Sequence, residues 1–493
     1  MSAPSHSTPP RNQALRRLTE APLDLLVIGG GIVGSGVARD AAMRGLRTGL
    51  VDQYDFASGT SSRSSRLLHG GLRYLEQGRV GLVHEASVEK KTIHKIAPHL
   101  GEPLGFIFPA YREGRPMWQL RIGVKIYDLL CGGRNFEPSR GFTRAETLQL
   151  LPQLDADELR GSVRYFDALT NDARLVIDTL RSAARHGATL ANYTKFVSAR
   201  REGGEWIVEI EDRVTGARHT LRARTIVNAT GPWADKVQHS AVKLRLSKGI
   251  HVVVDRSRIK IPSAVVITEG KRILFIIPWG QRVIIGTTDT DYTAKPEDVD
   301  VESVDVAYVL KIVNEFFPTV KLGEADIVSS WAGVRPLIAN PDGSPSDISR
   351  AHQIKCPEPA WWDIAGGKLT TYRLMSEQAV DQIVKHLGAQ AKPCRTADEP
   401  LLAPGDAGNA YSGTVPVKHS REAVQHYVKN EWAHRLDDLL LRRSGWHYYD
   451  RLDAAKVREI AGWMGEACGW SPAQVEGELQ AWKAASANFV PAA

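Results

Sequence analysis

Asp24-Leu-Leu-Val-Ile-Gly-Gly-Gly-Ile-Val-Gly-Ser-Gly-Val-Ala-Arg-Asp40 is the stretch whose reading decides the fold. Leu25 to Ile28 are apolar at every position, as a strand covered on both faces requires. Gly29-Gly30-Gly31 break that strand. A helical pattern follows, with Ile32, Val33, Val37, Ala41 and Ala42 on its apolar side. Gly29, Gly31 and Gly34 fit the spacing G-x-G-x-x-G. There the first glycine permits a tight turn, the second lets a pyrophosphate approach the backbone, and the third lets helix pack on strand. The helix N-terminus then offers free N–H groups and a positive dipole end to phosphates. A second strand candidate, Thr48 to Asp52, ends in an acid 23 residues after Gly29, where a ribose-binding carboxylate belongs. Strand, turn, helix and acid together predict a dinucleotide-binding unit rather than a plain strand-to-helix turn.

The remaining composition bounds the function. A chain of 493 residues holds two or three domains. Its longest apolar runs, such as Ile273 to Ile277, are too short to span a bilayer. The first 20 residues are basic, rich in Ser and Pro, and lack the apolar centre of a secretory signal, so a disordered tail is expected over 1–21. Cys131, Cys356, Cys394 and Cys468 are scattered without paired spacing, which suggests a reduced compartment and no structural metal. A net charge of +7 favours an anionic partner. With no nucleic-acid-binding signature, a phosphorylated substrate or an acidic membrane surface ranks above nucleic acid.

Ala57 to Tyr74 is a polar loop rich in Ser and Gly that ends in His69, Arg73 and Tyr74. It follows the second strand, at the sheet edge where ligands bind. Helices are expected at 80–100, 173–186, 302–317, 374–387, 420–441, 454–468 and 472–485. Met117 to Leu130 carries Trp118, Ile122, Ile126 and Leu129 beside Arg115, Arg121 and Lys125, and Arg134 follows; such a basic amphipathic helix can lie in a membrane interface. Arg442-Arg443-Ser-Gly-Trp446-His-Tyr-Tyr449 is a second candidate for that contact. Short strands recur from Lys248 to Asp291, as in a mixed or antiparallel sheet of a second domain.

Four segments carry a family resemblance: Ile28 to Gly45, Thr60-Ser-Ser through Leu68-His-Gly-Gly-Leu-Arg-Tyr-Leu-Glu76, Pro278-Trp through Gly286-Thr-Thr-Asp289 with Gly333-Val-Arg-Pro336, and Gly366-Gly-Lys-Leu-Thr-Thr-Tyr-Arg373. Through them residues 22–390 resemble the FAD-dependent glycerol-3-phosphate dehydrogenases of the aerobic bacterial type, within the flavoprotein superfamily of D-amino-acid and glycine oxidases. Two departures stand out: Ser376 occupies the place of a usual Ala, and the C-terminal part is shorter, with fewer helices between Gly405 and Trp432. No EF-hand loop follows the body, unlike a mitochondrial member.

The resemblance implies an α/β fold: a Rossmann-type FAD-binding domain (22–80, 150–247 and 330–390), an inserted mixed or antiparallel-sheet substrate domain (81–149 and 248–329), a linker (391–413) and a helical C-terminal domain (414–493). It implies oxidation of sn-glycerol 3-phosphate to dihydroxyacetone phosphate in glycerol catabolism. Hydride would pass to FAD and electrons to a quinone, on the cytoplasmic face of an anionic membrane. Arg73 and Arg335 would clamp the phosphate, since guanidinium binds phosphate in a bidentate way. Tyr74 and Thr287 would add hydrogen bonds, and Lys368 would serve substrate or reduced flavin. His69 and His251 are the candidate bases. Gly29, Gly31 and Gly34 would face the pyrophosphate and Asp52 the ribose. Thr60 and Ser61 would reach pyrophosphate or flavin and Val197 the adenine. Ala229, Thr230, Gly231, Gly367, Leu369 and Thr370 would line the FAD. No metal is implied, and a homodimer is left open. The competing readings are a glycerol-3-phosphate oxidase that uses oxygen, an amino-acid or amine oxidase of the same superfamily, and a non-catalytic FAD-binding scaffold.

Overall fold

The structure, a computed structural model, describes residues 8–133, 135–270, 272–339 and 352–486. Leu23–Ile28 forms a strand inside a sheet of eight strands among these residues. Ile28 lies in parallel register between Val51 and Asn228, and Asn228 lies beside Asp363 of the parallel strand Trp361–Gly366. Neighbouring strands thus release the chain along one edge, into Gly29, Asp52, Ala229 and Gly367. The helix Ile32–Met43 packs close because Gly34 has no β-carbon; one placed there would sit 1.9 Å from the Gly29 carbonyl oxygen. Gly29 turns at φ +106°, a conformation that side chains resist. A hairpin, Thr194–Glu202 and Glu205–Asp212, extends the sheet in the antiparallel sense and carries Val197.

The second sheet has ten strands among the described residues. Its pairs are antiparallel except where Ala264 and Val265 meet Phe106 and Ile107. The long strands Leu244–Asp255 and Ile327–Ile338 pair with Ser247 opposite Arg335, Gly249 opposite Gly333, and His251 opposite Trp331. Alternate residues share a face, so one face of this pair presents all six.

Several boundaries differ from expectation. The strands Leu159–Leu169 and Ile327–Ile338 belong to the second sheet, so 150–247 and 330–390 do not fall wholly within the nucleotide-binding layer. The basic tail is not a disordered segment in its described part: Arg11–Thr19 is a helix that buries Ala14, Leu15 and Leu18. Arg11 there hydrogen-bonds Asp212 and the Tyr193 carbonyl. Apolar spacing within a basic stretch was the missed signal. Residues 391–413 are no free linker, since Leu401 is buried and its N–H donates to the Ile96 carbonyl. The helix expected over 420–441 ends at Asn430; Trp432 turns at positive φ and a wide turn follows at Asp438–Arg443.

The C-terminal region shares a core with the second sheet. Val424, Tyr427, Leu440 and Trp446 cluster with Val253, Ile277, Trp279 and Trp331. Arg442 to Tyr449 therefore cannot meet a membrane. Arg443 donates from Nη1 and Nη2 to the two Asp55 oxygens, each at 2.8 Å, and Arg442 Nε adds a bond of 2.6 Å. Burial alone would raise the Asp55 carboxyl, but Arg443 and Arg442 outweigh it and hold it far below the usual carboxylate range. A carboxylate so depressed contributes stability above its unfolded pKa, and loses it only as pH falls through the folded value. Arg443→Met should therefore destabilise the fold at neutral pH by about 3–5 kcal/mol, read as a lower urea midpoint.

Candidate active site

A cavity of about 630 Å³ runs between the two sheets, within the range typical of cofactor sites. Its wall on the first sheet is the row of strand ends: Gly29, Gly31, Asp52, Ala229 to Gly231, and Gly366 to Leu369, with Val197 from the hairpin. Its wall on the second sheet includes Gly249, His251, Phe275 and Gly333 to Leu337. The loop after the second strand supplies Ser58 to Ser61, Arg63 to Ser65 and His69.

At the glycine turn, a β-carbon on Gly31 would find only the Ser61 hydroxyl, at 3.2 Å. That hydroxyl accepts the Ile32 N–H at 3.0 Å. Thr60 Oγ1 donates to the Val334 carbonyl at 2.7 Å and so ties the loop to the second sheet. Asp52 accepts the Gly30 N–H at 2.7 Å on one oxygen and the Tyr54 N–H at 2.9 Å on the other. Burial pushes its carboxyl up to about 7. Asp52 therefore anchors the turn, and its oxygens keep acceptor lone pairs for a hydroxyl. Thr230 is steadied by its hydroxyl bond to Asn228 Oδ1, 2.7 Å.

Arg335 is prepared by its own strand pair. Its Nη2 donates to Thr287 Oγ1 at 2.8 Å and the Thr288 carbonyl at 3.2 Å. Its Nη1 donates to Asp289 at 3.2 Å and Ser247 Oγ at 3.3 Å. A side chain on Gly249 would strike Arg335 and Thr287, each at 2.4 Å. Gly249 thus leaves room for the Arg335 guanidinium beside Thr287, and the facing Gly333 leaves room for Arg63, whose carbonyl oxygen would lie 2.7 Å from a β-carbon there. His251 Nε2 lies 2.8 Å from Ser65 Oγ, and its ring stacks on Trp331 at 5.1 Å and 19°. Burial, then the charges of Arg335 and Arg66, lower its pKa to about 3, so the imidazole is neutral at ordinary pH.

Four expected residues stand behind the wall. Thr287 acts on Arg335. Tyr74 sits under the Lys368 ammonium, whose Nζ is 4.1 Å from the ring centroid. Arg73 lies against Tyr74, 5.5 Å from its ring centroid. Thr370 Oγ1 accepts the His69 N–H at 3.0 Å and holds the loop. Gly34 acts through packing alone. Sequence reasoning missed Ser64, Ser65 and Arg66, which lie inside a recognised motif but have no distinctive pattern. It also missed the buried support of the His69-Gly70-Gly71 turn. There the Gly70 N–H donates to Tyr127 OH at 2.9 Å, that hydroxyl donates to Asp167, and Lys90 Nζ donates to Asp167 at 2.9 Å.

Residues 24–354 match the family model described as FAD dependent oxidoreductase. Glycerol-3-phosphate dehydrogenase 2 of Mycobacterium tuberculosis is 42% identical over 80% of this chain and 68% of its own. Glycerol-3-phosphate dehydrogenase of Mycobacterium leprae is 36% identical over 96% and 90%. The crystal structure of glycerol-3-phosphate dehydrogenase from Bacillus halodurans, complexed with FAD, superposes with a TM-score of 0.78 at 30% identity, covering 96% of each chain.

Gly31 faces the cavity and Gly34 faces the Gly29 carbonyl, so the two should fail differently. Gly31→Val is expected to lose FAD while remaining folded. Gly34→Ala should lose FAD together with thermal stability. Visible flavin absorbance after gel filtration, set beside melting curves, separates the two outcomes.

Proposed function

This chain belongs to the FAD dependent oxidoreductase family, and we propose that it oxidises sn-glycerol 3-phosphate at C2 to dihydroxyacetone phosphate. The observation that carries this reading is Arg335, held in the cavity wall on the same sheet face as His251. FAD fits the remaining cavity. The Gly31 turn has no β-carbon toward it, Asp52 has acceptor capacity for a ribose, and the backbones of Ala229 to Gly231 and Gly367 to Leu369 form its floor. When bound, FAD supplies the acceptor for the C2 hydride.

The chain's residues then have separable tasks. Arg335 binds the phosphate dianion as a planar fork, with Lys368 adding charge. Thr287 orients Arg335, while Tyr74 with Arg73 beneath it supports Lys368. His251 takes the C2 hydroxyl proton. It is neutral and therefore able to accept one, and it neighbours the phosphate clamp. The substrate dianion also offsets the Arg335 charge that opposes its protonation. His69 lines the opposite loop, where it borders the reacting region.

For the acceptor, we read a membrane quinone rather than oxygen, from the surface. The helix Met117–Leu130 buries Leu120, Val124 and Tyr127 and exposes Trp118 by 66%, Ile122 by 53%, Ile126 by 43% and Leu129 by 70%. These four lie on one outward stripe. Contiguous exposed apolar surface of this kind marks an interaction site. Arg121 and Lys125 flank the stripe, where they would meet anionic headgroups. Among the described residues no helix is long and apolar enough to cross a membrane. Peripheral attachment to the inner face of the cell membrane is the arrangement this supports.

Arg335→Ala is expected to cost roughly 2–5 kcal/mol in kcat/KM by analogy with desolvated charge pairs, with flavin retained. Glycerol should be a poor substrate of the parent enzyme; equal rates on glycerol and glycerol 3-phosphate in anaerobic flavin reduction would defeat the phosphate reading. For the membrane, co-sedimentation with anionic vesicles should be weakened by salt and lost in a Trp118→Glu, Leu129→Glu double variant. Failure to bind at low salt, with full activity on soluble quinone, would leave an unattached enzyme. An oxygen electrode tests the acceptor, since rapid peroxide formation would replace the quinone.

A further inference from the structure

We propose that Arg66 is a positioning residue for this reaction, holding Trp331 against His251 and keeping a positive charge behind the imidazole. The inference rests on the reading of His251 as proton acceptor.

Three consecutive residues wrap the Trp331–His251 pair. The Ser64 carbonyl accepts the Trp331 Nε1–H at 3.2 Å. Ser65 Oγ meets His251 Nε2. Arg66 follows at φ +55°. The segment is fixed at both ends: the Ser64 N–H donates to Asp172 at 2.9 Å, and the Arg66 carbonyl accepts the Thr170 N–H at 2.8 Å. The Arg66 guanidinium is 2% exposed. It lies 4.3 Å from the Trp279 ring centroid, 5.1 Å from that of Trp331 and 5.5 Å from that of Tyr448. Its Nε and Nη1 have no hydrogen-bond partner among the described residues, and Asp172 acts on it through space without an ion pair there. Burying a guanidinium against aromatic faces is a costly way to fill space. The contact gains its purpose from what lies on the same indole, the imidazole of His251.

Few charges reach that imidazole. Arg335 lies on the paired strand Ile327–Ile338, and Arg66 lies against the Trp331 ring; these two are the charges that act on it. The other neighbouring strand presents Gly286, where a β-carbon would strike the ring at 2.3 Å. Ser65 is neutral, and the Tyr448 hydroxyl, beyond Trp331, stays protonated because burial raises its pKa. When substrate phosphate neutralises Arg335, Arg66 is the cation left to limit protonation of His251. Each group is 5.1 Å from the Trp331 ring. A unit charge about 10 Å away, at an effective dielectric of about 20, shifts a pKa by about one unit.

The test is anaerobic flavin reduction by glycerol 3-phosphate in the holoenzyme across pH, for the parent, Arg66→Lys, Arg66→Gln, Arg66→Met and His251→Asn. The two neutral variants should move the acid limb upward by about one pH unit, with KM little changed, and Arg66→Lys should restore it. Ring resonances of histidine-labelled enzyme, with His251 assigned by its loss in His251→Asn, should show the same upward shift without turnover. An unmoved limb in the neutral variants, with His251→Asn inactive, would overturn the role of Arg66 alone. A His251→Asn enzyme that reduces flavin at the parent rate would remove the reading of His251, and this inference with it. Failure of both neutral variants to hold FAD would make Arg66 a structural cation and overturn the inference as well.

Discussion

The missing β-carbon at Gly34 sets how the rest of the molecule is built. With the helix Ile32–Met43 seated on the Gly29 carbonyl, its N-terminus opens at the edge where the neighbouring strands also end. Their registers are level: Val51, Ile28, Asn228 and Asp363 lie side by side. One edge therefore gathers the glycine turn, Asp52 and two backbone turns. A bulkier residue at Gly34 would lift the helix and separate elements that are far apart in sequence. The helix can sit so deep because its own buried charges are satisfied: Asp40 pairs with Arg44 at its C-terminal end at 2.7 Å, and Arg39 is bonded to Ser182 and the Thr396 carbonyl.

The second sheet applies the same economy of side chains in its wall of the cavity. Gly249 and Gly333 face each other across the strand pair; the first leaves room for the Arg335 guanidinium and the second for the backbone of Arg63. Asp55 links this arrangement to the C-terminal region. It lies three positions beyond Asp52, and Arg442 and Arg443 converge on it from residues that also pack against Trp331 and Trp279. The C-terminal segment thus braces the loop after Asp52 and the second sheet at once, sharing one core with that sheet.

What could be read from the sequence follows from how local each constraint is. The glycine turn with Asp52 is written in a short window, because backbone geometry and spacing decide it. Thr60, Ser61, His69, Arg335 and Lys368 were reached through motifs, and the structure brings them to one cavity. Periodicity could not show which residues stand behind the wall. Arg73, Tyr74, Thr287 and Thr370 act through a neighbour, and a contact between distant segments leaves no local signature. Arg442 and Arg443 read as a surface cluster because their partner, Asp55, lies almost the whole chain away. Trp118, Ile122, Ile126 and Leu129 proved outward-facing, yet the same spacing describes a core helix. Only the packing of Leu120, Val124 and Tyr127 on the other side tells them apart.

Charge accounts for the chemistry that the fold leaves possible. The cavity wall carries five basic side chains, Arg63, Lys195, Lys236, Arg335 and Lys368, against three acidic ones, Asp52, Asp172 and Glu297. Burial weakens that acidic set further, since it raises the carboxyls of Asp52 and Asp172. A cavity so biased toward positive charge favours a dinucleotide pyrophosphate at one wall and a phosphorylated substrate at the other. The same bias would work against a base that must accept a proton. With His251 in the role we propose, a buried neutral imidazole would resolve the conflict, adding no charge before reaction and becoming a better acceptor only when a dianion arrives on Arg335. Binding and proton transfer would then be coupled through the field of one guanidinium, and an uncharged polyol, lacking the dianion, would leave His251 a poor base even when it fits the space.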